Sequence, residues 1–234
     1  MEASLFLIPT TLGDTAFSKV LPDFNKAVII SIKYFIVENI RTARRFLKKT
    51  DRSIDINTLT FFVLNEHTQK ESIADFLKPI EKGHSVGIIS EAGCPAIADP
   101  GAEVVGIAQR KNIRVIPLVG PSSIVLALMA SGFNGQCFAF QGYLPIDGEQ
   151  RTKTLKSLEQ KIYTENQTQL FIETPYRNNK VLDDILKICK PSTKLCIAAD
   201  ITMESEFIKT LSVSEWKNRK PDLSKKPCIF GLYK

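Results

Sequence analysis

Short runs of apolar, mostly β-branched residues recur along the chain, separated by stretches in which apolar positions return every three or four residues. The first kind predicts strands at "SLFLIP" (4–9), "AVIISI" (27–32), "TLTFFVL" (58–64), "SVGIIS" (85–90) and "RVIPLV" (114–119). The second kind predicts helices over 39–49, 68–83, 100–112 and 121–132. Strands alternating with helices at this spacing make a parallel sheet covered by helices. Turn chemistry in "ASGFNGQ" (130–136) then marks a boundary. Beyond it, "CFAFQGYLP", "QTQLFIET", "TKLCIAAD" and "PCIFGLY" read as strands, with helices over 149–163 and 176–189. The segment "EFIKTLSVSEWKN" fits neither period cleanly. The expected architecture is α/β in two lobes. Residues 1–133 carry a mostly parallel sheet and 134–234 a mixed one, and the cleft between two such lobes is the default ligand site.

Composition narrows the picture. Of 234 residues, 44% are hydrophobic and 24% charged, enough apolar material for ordinary cores and too much for a disordered chain. The longest apolar runs are too short or too interrupted to span a bilayer, and the N-terminus lacks the basic segment of a signal peptide, so a cytoplasmic protein is expected. Cys94, Cys137, Cys189, Cys196 and Cys228 form no CxxC pair and read as reduced thiols; with only His67 and His84 besides, no metal site is expected. The net charge of +6 is unevenly placed: "RTARRFLKKTDR" (41–52) and "KNRKPDLSKK" (217–226) hold much of the excess. Such clusters are solvated surface or the footprint of a polyanion.

Three predicted strand ends share an unusual chemistry. "SEAGCPAIADPG" (90–101) follows the fourth strand with glycine, proline and alanine, which turn the chain and let a ligand approach backbone. Asp99 with Pro100 reads as a helix start. "IPTTLGD" ends the first strand and "VGPSS" the fifth. Together they suit a flat ligand gripped by backbone groups. No GxGxxG follows the first strand and no GxxxxGK[ST] occurs, which disfavours the usual dinucleotide fold and a P-loop.

With these loops in place, the chain resembles the tetrapyrrole methylase superfamily of S-adenosylmethionine-dependent methyltransferases. Within it, the sequence is most similar to the branch that methylates a cytidine ribose 2′-hydroxyl in small-subunit ribosomal RNA. "LFLIPTTLGD" stands for that branch's "LYIVPTPIGN", "VENIRTARRFL" for "AEDTRxTRxLL", and "LNEHTQ" for "YHEHN". "SEAGCPAIADPG" stands for "SDAGTPxISDPG", "PLVGPSSIVLALMASG" for "PLPGPSAxxxALxxSG", "FQGYLP" for "FxGFLP", and "FIETPYRN" for "FYESPHR". Asn39 replaces an acid, "AADITMESEF" lacks the basic residue of "RELTKxxEE", and "KPCIFGLY" stands where "GEFVLV" is usual.

The resemblance implies a cofactor, S-adenosylmethionine, lying between the lobes, and a homodimer. It implies cofactor contacts at Pro9, Thr10, Ser90, Glu91, Ala92, Gly93, Ile97, Ala98, Asp99, Ser122, Ser123, Gln141, Gly142 and Thr174. Asp99 is read both as a helix cap and as a carboxylate facing the sulfonium. A ribose hydroxyl needs help with its proton. Glu38, Glu66, His67 and Glu91 stand at strand ends for that role, with Arg41 as a partner of Glu38, and no single base is chosen among them. Arg41, Arg45, Lys48 and Arg52 are expected on one face of a helix whose other face holds Ala43, Phe46 and Leu47. With Arg44 they form the expected contact to ribosomal RNA or the small ribosomal subunit. A small-molecule or protein acceptor, or a cofactor-binding protein without catalysis, are the competing readings.

Overall fold

The computed structural model describes residues 2–234, in two compact units, the first running to Ser122 and the second from Ser123 to Lys234. In the first, the elements in order are β1 (Leu5–Ile8), α1 (Phe17–Val20), α2 (Asp23–Ser31), β2 (Tyr34–Val37), α3 (Ile40–Thr50), β3 (Thr60–Val63), α4 (Lys70–Ile73), α5 (Lys78–Glu81), β4 (Val86–Ile89), α6 (Gly101–Arg110) and β5 (Val115–Pro117). The strands make a five-stranded sheet in the order β3-β2-β4-β1-β5, parallel throughout. Alternation along each strand sends residues to opposite faces. Phe6, Ile8, Phe35, Val37 and Ile89 pack with Val28, Ile29, Ala43 and Leu47 of α2 and α3. On the other face Leu5, Ile36, Val86 and Ile88 meet Ile73, Leu77 and Ile80, with Val104 and Ala108 of α6.

The structure corrects one strand. "AVIIS" is the end of α2, and the second strand is Tyr34–Val37, just downstream. Val28, Ile29 and Ile32 are buried at helical spacing, whereas Ile30 is 48% exposed, which a central strand would not allow. The helix expected over 68–83 is broken: a 3₁₀ turn at Ala74–Leu77 separates α4 from α5, and Pro79 sits in the first turn of α5. Proline has no N–H to bond back across a turn, so one continuous helix is disfavoured there.

In the second unit, α7 (Ser123–Ser131), β6 (Phe138–Tyr143), α8 (Gly148–Glu165), β7 (Thr168–Glu173), α9 (Asn178–Ile188), β8 (Lys194–Ala199), β9 (Phe207–Ser212), α10 (Val213–Trp216) and β10 (Cys228–Tyr233) follow one another. The sheet order is β6-β7-β10-β8-β9; β6 and β7 are parallel and the other pairs antiparallel. The ambiguous segment is thus a strand running straight into a short helix, joined by a capping box of Ser212 and Glu215. Leu155, Leu158 and Ile162 of α8 and Val181, Leu182 and Ile185 of α9 pack on Phe171, Ile197 and Phe230, with Trp216 alongside. The Trp216 indole donates to the carbonyl of Leu195 at 2.8 Å, so its polar edge is satisfied in the core. Arg151 of α8 is 2% exposed; its guanidinium meets Asp184 at 2.6 Å and donates to the carbonyls of Pro145 and Ile146. The cysteines are free thiols, and burial pushes Cys189 up to about 12. Among the described residues no helix is long and apolar enough to cross a membrane.

Candidate functional site

In the first unit the loops after β1, β4 and β5 are bonded to one another. Thr10 N–H donates to the carbonyl of Gly93 at 3.0 Å, and its hydroxyl donates to the carbonyl of Ser90 at 3.2 Å. The Ser90 hydroxyl donates to the Gly93 carbonyl at 2.6 Å, and the Cys94 thiol lies 3.4 Å from the carbonyl of Pro121. The packing explains two glycines. Gly93 has φ +72°, and a Cβ there would lie 3.2 Å from the Pro121 carbonyl. A Cβ on Gly120 would lie 2.3 Å from Cγ of Pro9, closer than any side chain tolerates.

The loop after β4 carries its own strain. Ala96 and Ala98 both take left-handed backbone, at φ 65° and 60°. For a residue with a Cβ this costs roughly 1–2 kcal/mol each. Asp99 holds the shape: Oδ1 accepts from the N–H of Ala96 and of Gly101, each at 2.8 Å. The helix begins at Gly101 with Pro100 in the cap position, so Asp99 clamps the loop and the first helical amide from one residue further out than expected. Ala92, Ile97 and Ala98 are left exposed.

The strand order then groups carboxylates that are far apart in sequence. β2 and β4 are neighbours, so Glu38 and Glu91, each just past its strand, come together, with Asp99 nearby. Burial, then the Asp99 and Glu91 carboxylates, raise the Glu38 pKa above the ordinary glutamate value, against a hydrogen bond from the Glu91 N–H. Burial also raises Asp99, opposed by the two amides it accepts from. Thr42 donates its hydroxyl to Glu91 Oε1 at 2.6 Å, and Asn39, where the resembling family has an acid, caps α3 through the N–H of Arg41 at 2.8 Å. A cavity of about 160 Å³ opens beside this group, lined by Thr10, Ser90, Glu91, Thr42, Arg45 and Lys49. Sequence reading missed Thr42 and placed Lys49 only within the basic run 41–52. The strand order reveals Thr42, and Lys49 reaches across to Asp14 at 3.1 Å.

The other expected residues fall in separate places. Glu66 and His67 sit in an exposed turn after the edge strand β3, with side chains 86% and 83% exposed and 3.6 Å apart. The structure does not bring them to the Glu38 group, and an edge strand's loop is where solvent exposure is greatest. Arg41, Arg45 and Lys48 are exposed on α3, opposite buried Ala43 and Leu47. Arg52 is not on that face. α3 ends at Thr50, Asp51 is extended, and the Arg52 carbonyl accepts from the Lys48 ammonium at 3.0 Å. Arg44 lies over the Phe61 ring at 5.6 Å. Ser122 and Ser123 lead into α7. In the second unit Gln141 bonds Gln169 at 2.8 Å, and Gly142 takes φ +66° where the β6–β7 register slips. Thr174 follows β7, its N–H donating to Glu173 Oε1 at 2.7 Å.

Solved structures share this fold. That of the methyltransferase CobJ matches 99% of this chain and 94% of its own with a TM-score of 0.65 at 13% identity. That of uroporphyrin-III-C-methyltransferase from Thermus thermophilus matches 100% and 93%, at 0.58 and 16%. The fold is therefore that of the tetrapyrrole methylases. No family model matches the chain. Curated relatives narrow the class. "Ribosomal RNA small subunit methyltransferase I" of Thermotoga maritima is 36% identical over 161 residues, covering 67% of this chain and 70% of the relative. Its namesake in Streptococcus pyogenes serotype M6 is 31% identical over 217 residues, covering 92% and 70%. That of Vibrio cholerae is 28% identical over 214 residues, covering 90% and 69%. The chain belongs to the ribosomal RNA small subunit methyltransferase I family. It is a methyltransferase, and its methyl donor is S-adenosylmethionine. The acidic group of Glu38, Glu91 and Asp99 suits a donor that carries a positive sulfonium, and the bonded loops offer backbone beside it.

Proposed function

We propose that the protein methylates the 2′-hydroxyl of a ribose in small-subunit ribosomal RNA, with Glu38 as the proton acceptor. The observation that carries this reading is the placement of a half-buried carboxylate with a raised pKa at the foot of a helix whose exposed face is basic. The relatives' shared name supplies the substrate class. When bound, S-adenosylmethionine supplies a methyl group on an excellent leaving group. Pro9, Thr10, Ser90, Gly93 and the Ala96–Asp99 bend would hold it, and Asp99 would face its charge. Glu38 would take the hydroxyl proton as the ribose oxygen bonds to the methyl carbon and the carbon–sulfur bond breaks. A carboxylate whose pKa is raised toward neutrality is a stronger base than an ordinary one. Thr42, whose hydroxyl donates to Glu91, would fix the orientation of that neighbouring carboxylate. Arg41 and Arg45, which have no ion-pair partner among the described residues, would receive phosphates. The direct test is transfer of labelled methyl to small ribosomal subunits lacking ribose methylation, with free RNA alongside. Label in a subunit ribose is expected; label only in a base would discard the 2′-hydroxyl.

Two results should accompany it. Donor affinity should fall as pH is lowered through the raised pKa values of Glu38 and Asp99, because protonation removes the charge that a sulfonium favours. Asp99→Asn keeps an oxygen for the Ala96 and Gly101 amides and removes only charge. It should leave the melting temperature in place or raise it, and weaken the donor about tenfold, one charge contact's worth. Parent-like affinity in that variant would make Asp99 a loop clamp alone. The second result concerns RNA. Arg41→Glu with Arg45→Glu should weaken RNA binding and flatten its salt dependence by about 0.7 in slope per lost phosphate contact. An unaltered slope would remove α3 from the RNA surface.

A further inference from the structure

The second basic cluster, residues 217–226, is not a free loop. It is fastened along one side of α9 by side chains of that helix. Lys220 pairs with Asp183; Asn179 donates to Asp222 at 2.8 Å and to Ser224 at 3.0 Å, and accepts from the N–H of Leu223 at 2.9 Å. Asn178, fully buried, donates to the carbonyl of Lys226 at 2.7 Å. At the far end Lys225 N–H donates to the carbonyl of Pro175 at 3.2 Å. That last bond sets Lys225 beside Tyr176, the most exposed large hydrophobic residue among the described residues at 86%. Its neighbour Arg177 is turned inward onto buried Glu173 at 2.8 Å, which anchors the turn while the phenol stays in water. Lys180 is exposed in the first turn of α9, and neither it nor Lys225 is ion-paired among the described residues.

An aromatic ring held in water costs free energy unless something covers it, and cations around it select what that is. Resting on the RNA reading above, we propose that Tyr176, Lys180 and Lys225 form a second contact surface, on which an unpaired base of the substrate RNA stacks while the lysines meet its flanking phosphates. Bases offer a π-face whatever their identity, and basic side chains beside an aromatic are how single strands are gripped without sequence preference. A peptide ligand would call for a groove or an open strand edge here, and the contacts above describe neither.

The test uses the full chain and a fluorescein-labelled single-stranded oligoribonucleotide of mixed sequence, with binding read by anisotropy across a salt series. Tyr176→Ala should weaken binding about tenfold, the effect of one lost stack, and Tyr176→Phe should restore it. Lys180→Glu with Lys225→Glu should lower the salt slope by about 0.7 per contact. All three sites are exposed, and unchanged melting temperatures would confirm intact folds. Methyl transfer to small subunits is measured in parallel. Parent-like RNA affinity in both variants overturns the surface while leaving the substrate reading intact. So does a parent that transfers methyl to subunits yet binds no free strand. A parent that neither binds RNA nor methylates subunits overturns both.

Discussion

Gly120→Ala should destabilise the first unit by about 3 kcal/mol, an effect at the upper end for overpacking. Its melting transition should fall by roughly 10 °C. The added methyl would sit 2.3 Å from Cγ and 2.4 Å from Cβ of Pro9, and Leu21 closes in at 3.4 Å. A pyrrolidine ring cannot swing aside as a long side chain can, so either the loop after β1 or the loop after β5 must move. Those two loops hold the ends of the bonded cluster through Thr10 and Cys94, so donor affinity should drop with stability. Gly135→Ala, with no atom within 4 Å of the new methyl, is the matched control and should melt like the parent. A parent-like transition for Gly120→Ala would mean that the close approach to Pro9 can relax freely.

Glu38→Gln should separate activity from stability. Loss of the proton acceptor should slow methyl transfer by a factor on the order of 10² or more in single turnover. Stability should move the other way or not at all. Glu38 binds its proton more tightly when folded than when unfolded, because burial and two neighbouring carboxylates oppose its charge. Between the unfolded and the folded pKa the native state therefore holds more protons, and stability declines as pH rises through that window. Above the folded pKa the full penalty is present. Glutamine carries none, so the variant should melt at the parent's temperature or higher at neutral pH, and the two should converge in acid. A variant that transfers methyl at the parent's rate would leave Glu38 without a chemical role.

The carboxylate group shows where sequence reading runs out. Glu38, Glu91 and Asp99 each stood at a predicted strand end or helix start, but nothing local says that β2 lies against β4. That fact belongs to the sheet order, and with it come the pKa shifts and the place of Thr42. The meeting of the three loops was legible, because small residues, proline and hydroxyls at successive strand ends describe one edge of a parallel sheet. The error at "AVIIS" has a physical cause too. From Ala27 to Val37 the chain is almost continuously apolar, and a short apolar run fits a buried strand or a helix face equally. Pro22, extended at the helix cap, and Asp23 in the first turn were the available signals that a helix starts there. Arg52 was misplaced because helical phase was carried past Asp51, whose extended backbone ends the helix.

The sheet order also bears on how the protein comes into being. β1 lies between β4 and β5, with Leu5 opposite both Val86 and Val115. A nascent chain therefore carries β1 unpaired until β4, about eighty residues further on, has been made, and without its second neighbour until β5 follows. β2 and β3 can pair earlier, but they form only one side of the sheet. Closing so wide a loop is entropically slow, and non-local parallel pairing folds late. Through that interval "LFLI" is an apolar segment with open backbone, the kind of segment that pairs with other chains when its own partner is missing.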